Sequence, residues 1–429
     1  MSDAPSPLRS NARRLLAALL MFGAVAEIAP AQAATWKLEP IGSSDGVAEL
    51  QDFGFDAQGR GLLSWSGLPP GLATRDPSGG WQRPRDGGAV QPATTQIHVG
   101  RTSTLLVARE ARTEANLRRL VFADGRSDGS FGTLTPLDDF VGAHWSAANA
   151  GGDAIVAWRG ERTPFLRVAE RAAGQSFAAA RDLAVGQTGA VAINDRGDRV
   201  LAWRAGRRLA ARLRRAGGEW GDTERFGRIT SIQSLRLNAL MVRNGRVVLT
   251  WGNAGRPCGV SVRTGSGRWS TRTLERRCGP TSDSRAAPVL ALADGRGATY
   301  VAWTGRTRTG RRAVKFARVG GGGAVRPIVL SRERSAVLDD VAAGPGRALA
   351  VTYAAPRPTR ANPLLSSTFV ALRRGGGAFQ HDRLTPPGFA ARRGSRVAFQ
   401  PLTGEPVVAV PFLIGLKVAV SAAVGPAAP

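Results

Sequence analysis

The sequence predicts an all-β protein built as a single β-propeller, because three features recur along its 429 residues. The first is a short turn in which Asn or Asp precedes Gly, as at 194–197. The second is an apolar strand that ends in an aromatic residue, as at 200–203. The third is a Gly-rich turn followed by an aromatic residue, as at 216–220. The repeat length of about 48 residues indicates stacked supersecondary units.

The polarity of each unit changes from strand to strand. The second strand is apolar on both faces, the third alternates, and the fourth is polar except for one aromatic residue. A strand that is covered on both sides is apolar throughout, whereas a half-exposed strand alternates. The pattern therefore predicts four-stranded blades, in contrast to a β-sandwich, whose strands would all alternate. One position of the second strand aligns across the units, and its occupants are Trp65, Ala108, Trp158, Trp203, Trp251, Trp303, Tyr353 and Val410.

Residues 1–34 have the pattern of a bacterial export signal. Arg9, Arg13 and Arg14 form a basic start, Leu15–Ala26 is apolar, and small residues surround a cleavage site near Ala33. The apolar run is shorter than the roughly 20 residues that a membrane helix needs, although a retained anchor remains an alternative. No later segment is long and apolar enough to span a membrane. We expect a secreted or cell-envelope-associated protein.

Residues 35–422 are assigned to the propeller, and residues 423–429 to a disordered tail. The segment 35–41 resembles a fourth strand without the three strands that should precede it, whereas the chain ends with three strands and no fourth. The first strand is therefore predicted to complete the last blade, which removes a free sheet edge. Counting the strands gives eight blades, or seven if one unit is irregular.

The two cysteines, Cys258 and Cys278, flank the third and fourth strands of the predicted fifth blade. An even number of cysteines in an exported protein predicts a disulfide, with two free thiols as the alternative. Closing a loop of about 20 residues would add about 3 kcal/mol of stability.

The formal net charge is +27, and nearly all of the 59 basic residues are Arg. Such a field attracts anionic polymers in general. However, Ala, Gly and Pro are enriched together with Arg, and the arginines are scattered along the chain. Because the sequence contains neither a basic arm nor an RNA-binding aromatic motif, we expect no specific nucleic-acid binding.

The sequence offers few candidates for catalysis or metal binding. The three histidines lack the spacing of a zinc site, so no metal or cofactor is expected. The stretch Gly42–Gly46 matches G-x-S-x-G, but it lies between two predicted strands and is interpreted as a turn. Polar residues near the starts of first strands would share one face around the channel mouth, where they could bind a ligand or merely cap turns. These candidate ligand-binding residues are Asp52, Asp138, Asp139, His144, Asp339 and Asp340.

The segment Thr74–Trp81 resembles the Asp-box repeat of secreted bacterial sialidase-like propellers, whose pattern is S/T-x-D-x-G-x-x-W. Other hairpins, such as 264–269, keep the Gly turn and the aromatic residue but lose the Asp. The resemblance implies a propeller fold. A sialidase would also need a tyrosine nucleophile, but Tyr300 and Tyr353 both fall in predicted buried strands.

These observations favour a monomeric, non-catalytic propeller that binds a protein or glycan at the cell envelope. The alternative is a glycoside hydrolase or lyase that uses a pair of the channel-mouth carboxylates as acid and base. A third hypothesis is binding of anionic polymers by charge alone, which would weaken steeply with added salt.

Overall fold

The structure is a computed structural model. It describes residues 36–44, 49–66, 71–78, 80–82, 94–101, 103–111, 118–126, 128–161, 163–229, 235–280, 288–320, 324–356, 366–385, 390–391, 394–414 and 417–424. The predicted export signal at 1–34 and the end of the predicted tail at 425–429 lie outside these residues. Within them, no helix has the length and hydrophobicity to cross a membrane.

Six four-stranded antiparallel sheets form the first six blades. Blade 1 contains β2 (Glu49–Phe55), β3 (Gly61–Ser66), β4 (Gly71–Arg75) and β5 (Trp81–Gln82), after β1 (Lys37–Ser44). Blade 2 contains β6 (Thr94–Val99), β7 (Thr104–Ala111), β8 (Arg118–Gly125) and β9 (Thr135–Asp138). Blade 3 contains β10 (Val141–Ala148), β11 (Ala154–Gly160), β12 (Phe165–Arg171) and β13 (Arg181–Val185).

The next three blades repeat the same order of strands from the first to the fourth. Blade 4 contains β14 (Gly189–Ile193), β15 (Arg199–Ala205), β16 (Arg208–Arg214) and β17 (Glu224–Arg228). Blade 5 contains β18 (Arg236–Met241), β19 (Val247–Gly252), β20 (Cys258–Arg263) and β21 (Trp269–Glu275). Blade 6 contains β22 (Val289–Ala293), β23 (Thr299–Arg306), β24 (Arg312–Arg318) and β25 (Ile328–Val329).

The seventh blade is a nine-stranded sheet. Its strands are β26 (Val337–Ala343), β27 (Leu349–Pro356), β28 (Ser366–Arg373), β29 (Gln380–Arg383), β30 (Ala390–Ala391), β31 (Arg396–Phe399), β32 (Pro406–Ile414), β33 (Lys417–Val424) and β1. The short strand β30 pairs with both β28 and β32, so it joins the strands assigned to a seventh and an eighth blade. The expectation of eight blades is therefore wrong, and the described strands form seven.

The ring closes through the first and last strands of the described chain. β1 pairs antiparallel with β33, with Lys37 opposite Val424, which confirms the predicted closure. The first strands of neighbouring blades also contact one another around the centre, and β31 of the seventh blade contacts β2 of the first. Closure removes the edges that an open sheet would expose at this point. The last strand ends at Val424, two residues beyond the predicted boundary.

The hydrophobic core lies between neighbouring blades. The aligned position of the second strand is buried in all eight units, and Trp158 and Trp303 are almost fully buried. Trp203, for example, packs with Ile155 and Val168 of the preceding blade. Because each second strand is covered by the blades on both sides, both of its faces are apolar, as the sequence predicted.

The turns between first and second strands also link the blades. Asn194 accepts hydrogen bonds from the backbone N–H groups of Arg196 and Asp198, both at 3.0 Å. Its Nδ2 donates to the carbonyl of Val242 in the next blade at 3.2 Å. Asn149 donates in the same way to the carbonyl of Asn194. The predicted turn residues therefore fix both the turn and the distance to the neighbouring blade.

The aromatic residues of the fourth strands bind carboxylates of the preceding blade. The indole N–H of Trp220 donates to Glu170 at 3.3 Å, and that of Trp269 donates to Glu224 at 2.5 Å. Trp36, which precedes β1, donates to Asp382 of β29 at 3.0 Å. These bonds connect the outer edges of the blades as the aligned tryptophans connect their cores.

Candidate functional site

Two faces of the propeller can be distinguished by their loops. The upper face carries the turns between second and third strands and the links from each fourth strand to the next first strand. The lower face carries the turns between first and second strands. Asp138 is the last residue of β9 and Asp139 lies in the link from β9 to β10, so both are on the upper face. Their role in ligand binding stays a prediction.

Asp52 and Asp340 bridge neighbouring first strands. Oδ2 of Asp52 accepts a hydrogen bond from the backbone N–H of Ile97 at 2.7 Å. Oδ2 of Asp340 accepts one from the N–H of Val397 at 3.0 Å. A carboxylate makes a strong acceptor for a backbone N–H group, so both residues contribute to the spacing of the inner ring.

The other three predicted carboxylates also have partners within the protein. Asp339 is buried and accepts the hydroxyl of Ser395 at 2.7 Å. Asp138 accepts the indole N–H of Trp158 at 2.5 Å and pairs with Arg167, while Asp139 pairs with Arg119 at 3.0 Å. Among the described residues, no group of three His, Cys, Asp or Glu side chains is arranged to hold a metal ion. The structure thus gives these carboxylates separate roles in joining strands.

A cavity of about 280 Å³ opens at the upper end of the channel, between the first strands of blades 2 to 5. Amide and hydroxyl side chains supply most of its polar groups, and none of the described residues that line it is acidic. Arg236 is its one charged lining residue among these. The lining side chains with hydrogen-bonding capacity are Gln96, Trp145, Ser146, Gln187, Thr188, Arg236 and Asn238. We call this space the central cavity.

Trp145 forms one side of the central cavity and packs between blades 3 and 4. Gly189 lies directly against its ring, and a Cβ atom at this position would lie 3.0 Å from Trp145 Cε3. Such a distance is shorter than an ordinary carbon contact. The glycine therefore allows the indole ring to occupy its position beside the cavity.

A hydrogen-bond network connects blades 2 and 3 at the central cavity. The hydroxyl of Ser146 donates to Oε1 of Gln96 at 2.6 Å, and Nε2 of His98 lies 2.7 Å from the same hydroxyl oxygen. Because the serine hydrogen is already used, Nε2 of His98 carries the hydrogen that it donates to Ser146. Burial lowers the pKa of His98 to about 4, so its ring is neutral near pH 7.

His144 is not among the described residues that line the central cavity. It lies on β10 opposite Trp158 of β11 and is partly buried. His98 is not among the lining residues either, but its ring contacts the lining residue Ser146. The sequence placed His98 in a first strand and did not include it among the ligand-binding residues. The recognisable signal was the alternation of the polar residues Gln96 and His98 with the apolar residues Ile97 and Val99.

Cys258 and Cys278 are joined as a disulfide, with their Cα atoms 5.9 Å apart. The bond links the start of β20 to the link between blades 5 and 6. Both side chains are buried in the core between these blades. The disulfide therefore fixes two segments of the upper face relative to each other.

No protein-family model matches the chain, and no curated protein matches it. Among solved structures it is similar to an ulvan lyase, with a TM-score of 0.49, 11% identity and coverage of 92% of this chain and 97% of that chain. It is also similar to the six-bladed β-propeller lectin of Aleuria aurantia, with a TM-score of 0.38, 12% identity and coverage of 69% and 95%. At these values the comparisons carry no argument about function, and the Asp-box resemblance stays a prediction.

Proposed function

We propose that the protein is a non-catalytic glycan-binding propeller whose central cavity holds a neutral part of a sugar chain. The observation that carries this proposal is the lining of the cavity: an indole ring surrounded by amide and hydroxyl groups. Amides and hydroxyls both donate and accept hydrogen bonds, as sugar hydroxyls do. A concave site with an aromatic wall and a few placed polar groups is typical of small-ligand recognition.

The arrangement of carboxylates supports binding over hydrolysis. A glycoside hydrolase usually needs two carboxyl groups, about 5–5.5 Å apart for retention or about 6.5–9.5 Å apart for inversion. None of the described residues that line the central cavity is acidic, and Asp52 and Asp340 are engaged with backbone N–H groups of neighbouring strands. The described lining of the central cavity therefore offers no acid and base pair for hydrolysis.

The predicted export signal at 1–34 supports the proposal that this binding occurs outside the cytoplasm, by a protein that is secreted or associated with the cell envelope. Glycans of the cell surface are accessible there. The sequence left either a protein or a glycan as the expected ligand. The amide and hydroxyl groups of the cavity favour a glycan.

The test is a glycan array with the purified protein, followed by calorimetry on each sugar that binds. We expect binding of a neutral sugar that persists when salt is raised, because no ion pair is needed. Asn238→Ala should weaken binding about tenfold or more, since a lost hydrogen bond leaves a buried polar group of the sugar without a partner.

A matched control is Gln175→Ala, because Gln175 is exposed on a lower-face hairpin and Gln187 lies in the central cavity. Gln187→Ala should weaken sugar binding, whereas Gln175→Ala should leave it unchanged. The proposal is contradicted if sugars bind equally well to the Asn238 and Gln187 variants, or if the protein cleaves the sugars that it binds.

A further inference from the structure

A second cavity lies on the upper face, between the outer parts of blades 5 and 6. Its volume is about 350 Å³, and its walls carry four arginines: Arg256, Arg277, Arg306 and Arg312. None of the described residues that line it is acidic. We call this space the arginine pocket.

Among the described residues, the four arginines of the pocket have no carboxylate partner, unlike several arginines at the contacts between other blades. Arg263 pairs with Glu224 at 2.7 Å, and Arg167 pairs with Asp138. Within the described part of the chain, by contrast, no ion pair involves any arginine of the pocket. Glu275 lies close to Gly305, but its carboxylate is bound by Lys315.

Two of the arginines are held opposite each other in a sheet. Arg306 and Arg312 are direct cross-strand partners at the end of β23 and the start of β24. Like charges in this position destabilise a strand pair. The guanidinium of Arg306 donates to the carbonyl of Gly310, which orients it without neutralising it. The sheet therefore holds two positive charges side by side, and a bound anion would neutralise them.

The opposite wall of the arginine pocket is fixed by backbone bonds and the disulfide. The N–H of Gly255 donates to the carbonyl of Cys278 at 2.7 Å, and the N–H of Cys278 donates to the carbonyl of Arg256 at 3.0 Å. Since Arg277 immediately precedes Cys278, the segments that carry Arg256 and Arg277 are tied together. The pocket is therefore built before any ligand arrives, which reduces the entropic cost of binding.

Glycines allow the backbone segments to approach closely at the floor. A Cβ atom at Gly279 would lie 2.4 Å from Cγ2 of Thr304, and one at Gly305 would lie 2.6 Å from Oε1 of Glu275. Both positions thus exclude a side chain. The pocket of about 350 Å³ that the four arginines line is thus bordered at these positions by backbone.

We propose that the arginine pocket binds a tetrahedral oxyanion group, either a sulfate or a phosphate. Guanidinium groups bind such anions through paired N–H donors and keep their charge at any physiological pH. Four arginines that line one pocket match an anion with three or four terminal oxygens better than a carboxylate, which has two. This site is separate from the central cavity, and the proposal does not depend on glycan binding there.

The test is calorimetric titration of the purified protein with sodium sulfate, sodium phosphate and sodium acetate, at ionic strength held constant with sodium chloride. We expect saturable binding of sulfate, phosphate or both, with one anion per protein, and weaker binding of acetate. Sulfate binding alone identifies a sulfate group as the ligand, and phosphate binding alone identifies a phosphate group.

Two variant pairs remove opposite walls of the arginine pocket. Arg306→Gln with Arg312→Gln, and separately Arg256→Gln with Arg277→Gln, should each weaken anion binding about tenfold or more. The first pair should also raise the melting temperature slightly, because it removes a like-charged cross-strand pair. The melting temperature therefore shows whether this variant is folded, independently of its anion affinity.

The matched control is Arg207→Gln with Arg208→Gln, which removes the same charge from the equivalent hairpin of blade 4. This control should change anion affinity by less than about twofold, since only a diffuse field is altered. The proposal is overturned if the control loses as much affinity as the pocket variants. It is also overturned if neither sulfate nor phosphate binds, or if acetate binds as tightly as they do.

Discussion

The central cavity and the arginine pocket share the upper face but are built in opposite ways. In the central cavity, neutral side chains are ordered by bonds to one another, as in the contact of Ser146 with Gln96 and His98. In the arginine pocket, like charges are held beside one another by backbone bonds, a disulfide and a strand pair. The comparison teaches that a strongly basic chain can gather arginines in one pocket, while a single charged residue is found among the described residues that line the central cavity.

The largest expected effect comes from breaking the scaffold that both sites share. Trp203 is buried between blades 3 and 4, so Trp203→Ala should lower the free energy of unfolding by about 3–5 kcal/mol. Urea unfolding measures this change. A loss below about 1 kcal/mol would contradict the packing of the second strands between blades.

The second-largest effect is expected from removing the disulfide, which should change ligand binding at one site only. Replacing Cys258 and Cys278 with Ser should lower the free energy of unfolding by about 3 kcal/mol, because the loop between them has a sequence separation of 20. Anion binding should weaken, since the wall with Arg256 and Arg277 is loosened, while sugar binding should not change. Thermal unfolding and the two titrations measure the three quantities. Equal loss of both ligands would mean that the sites are not independent.

A pH titration of stability tests the lowered pKa of His98, whose ring contacts Ser146 beside the central cavity. The folded pKa of His98 is about 4, below the ordinary value of 6.5, because burial disfavours the charged ring. The unfolded chain therefore binds a proton at a higher pH than the folded protein does. This contribution to stability is present above pH 6.5 and is lost as the pH falls toward 4, with a size of about 3 kcal/mol.

The control for this pH effect is His98→Gln, which keeps a hydrogen-bond donor but does not titrate. The difference in unfolding free energy between the two proteins should shrink or change sign as the pH falls from 6.5 to 4. A difference that stays constant over this range would show that the His98 pKa is not lowered.

The smallest effect is expected from one methyl group beside Trp145. Gly189→Ala places a Cβ 3.0 Å from the indole ring, so the ring must shift by a few tenths of an ångström. Sugar affinity should fall about threefold to tenfold, and anion affinity should not change. Calorimetry with both ligands tests this. Unchanged sugar affinity would mean that Trp145 does not contact the sugar.

Most of the fold could be predicted because its signals are local. Each signal is visible within about ten residues of sequence. The signals are the apolar second strands, the turns with Asn and Gly, and the single fourth strand at the start of the propeller. The number of blades was not predictable in this way. β30 has two alanines that join neighbouring sheets through backbone pairing alone, and alanine side chains carry no signal for that pairing.

The candidate site was less predictable because its contacts are distant in sequence. The face was predicted, but Asp52 binds a backbone group 45 residues away and Asp340 binds one 57 residues away. A turn-capping aspartate and a strand-bridging aspartate look the same in a sequence. Nor does the sequence distinguish the four arginines of the pocket from the other arginines, because only the fold brings these four to the lining of one pocket.

The most direct measurement of the central claim is a pair of calorimetric titrations, with a sugar found on the glycan array and with sulfate, on three proteins. These are the wild type, Asn238→Ala, and the double variant with Arg306→Gln and Arg312→Gln. We predict that Asn238→Ala loses only sugar affinity and that the arginine variant loses only sulfate affinity. The account of a neutral glycan site in the channel is contradicted if Asn238→Ala binds the sugar as the wild type does, or if the arginine variant loses the sugar as well.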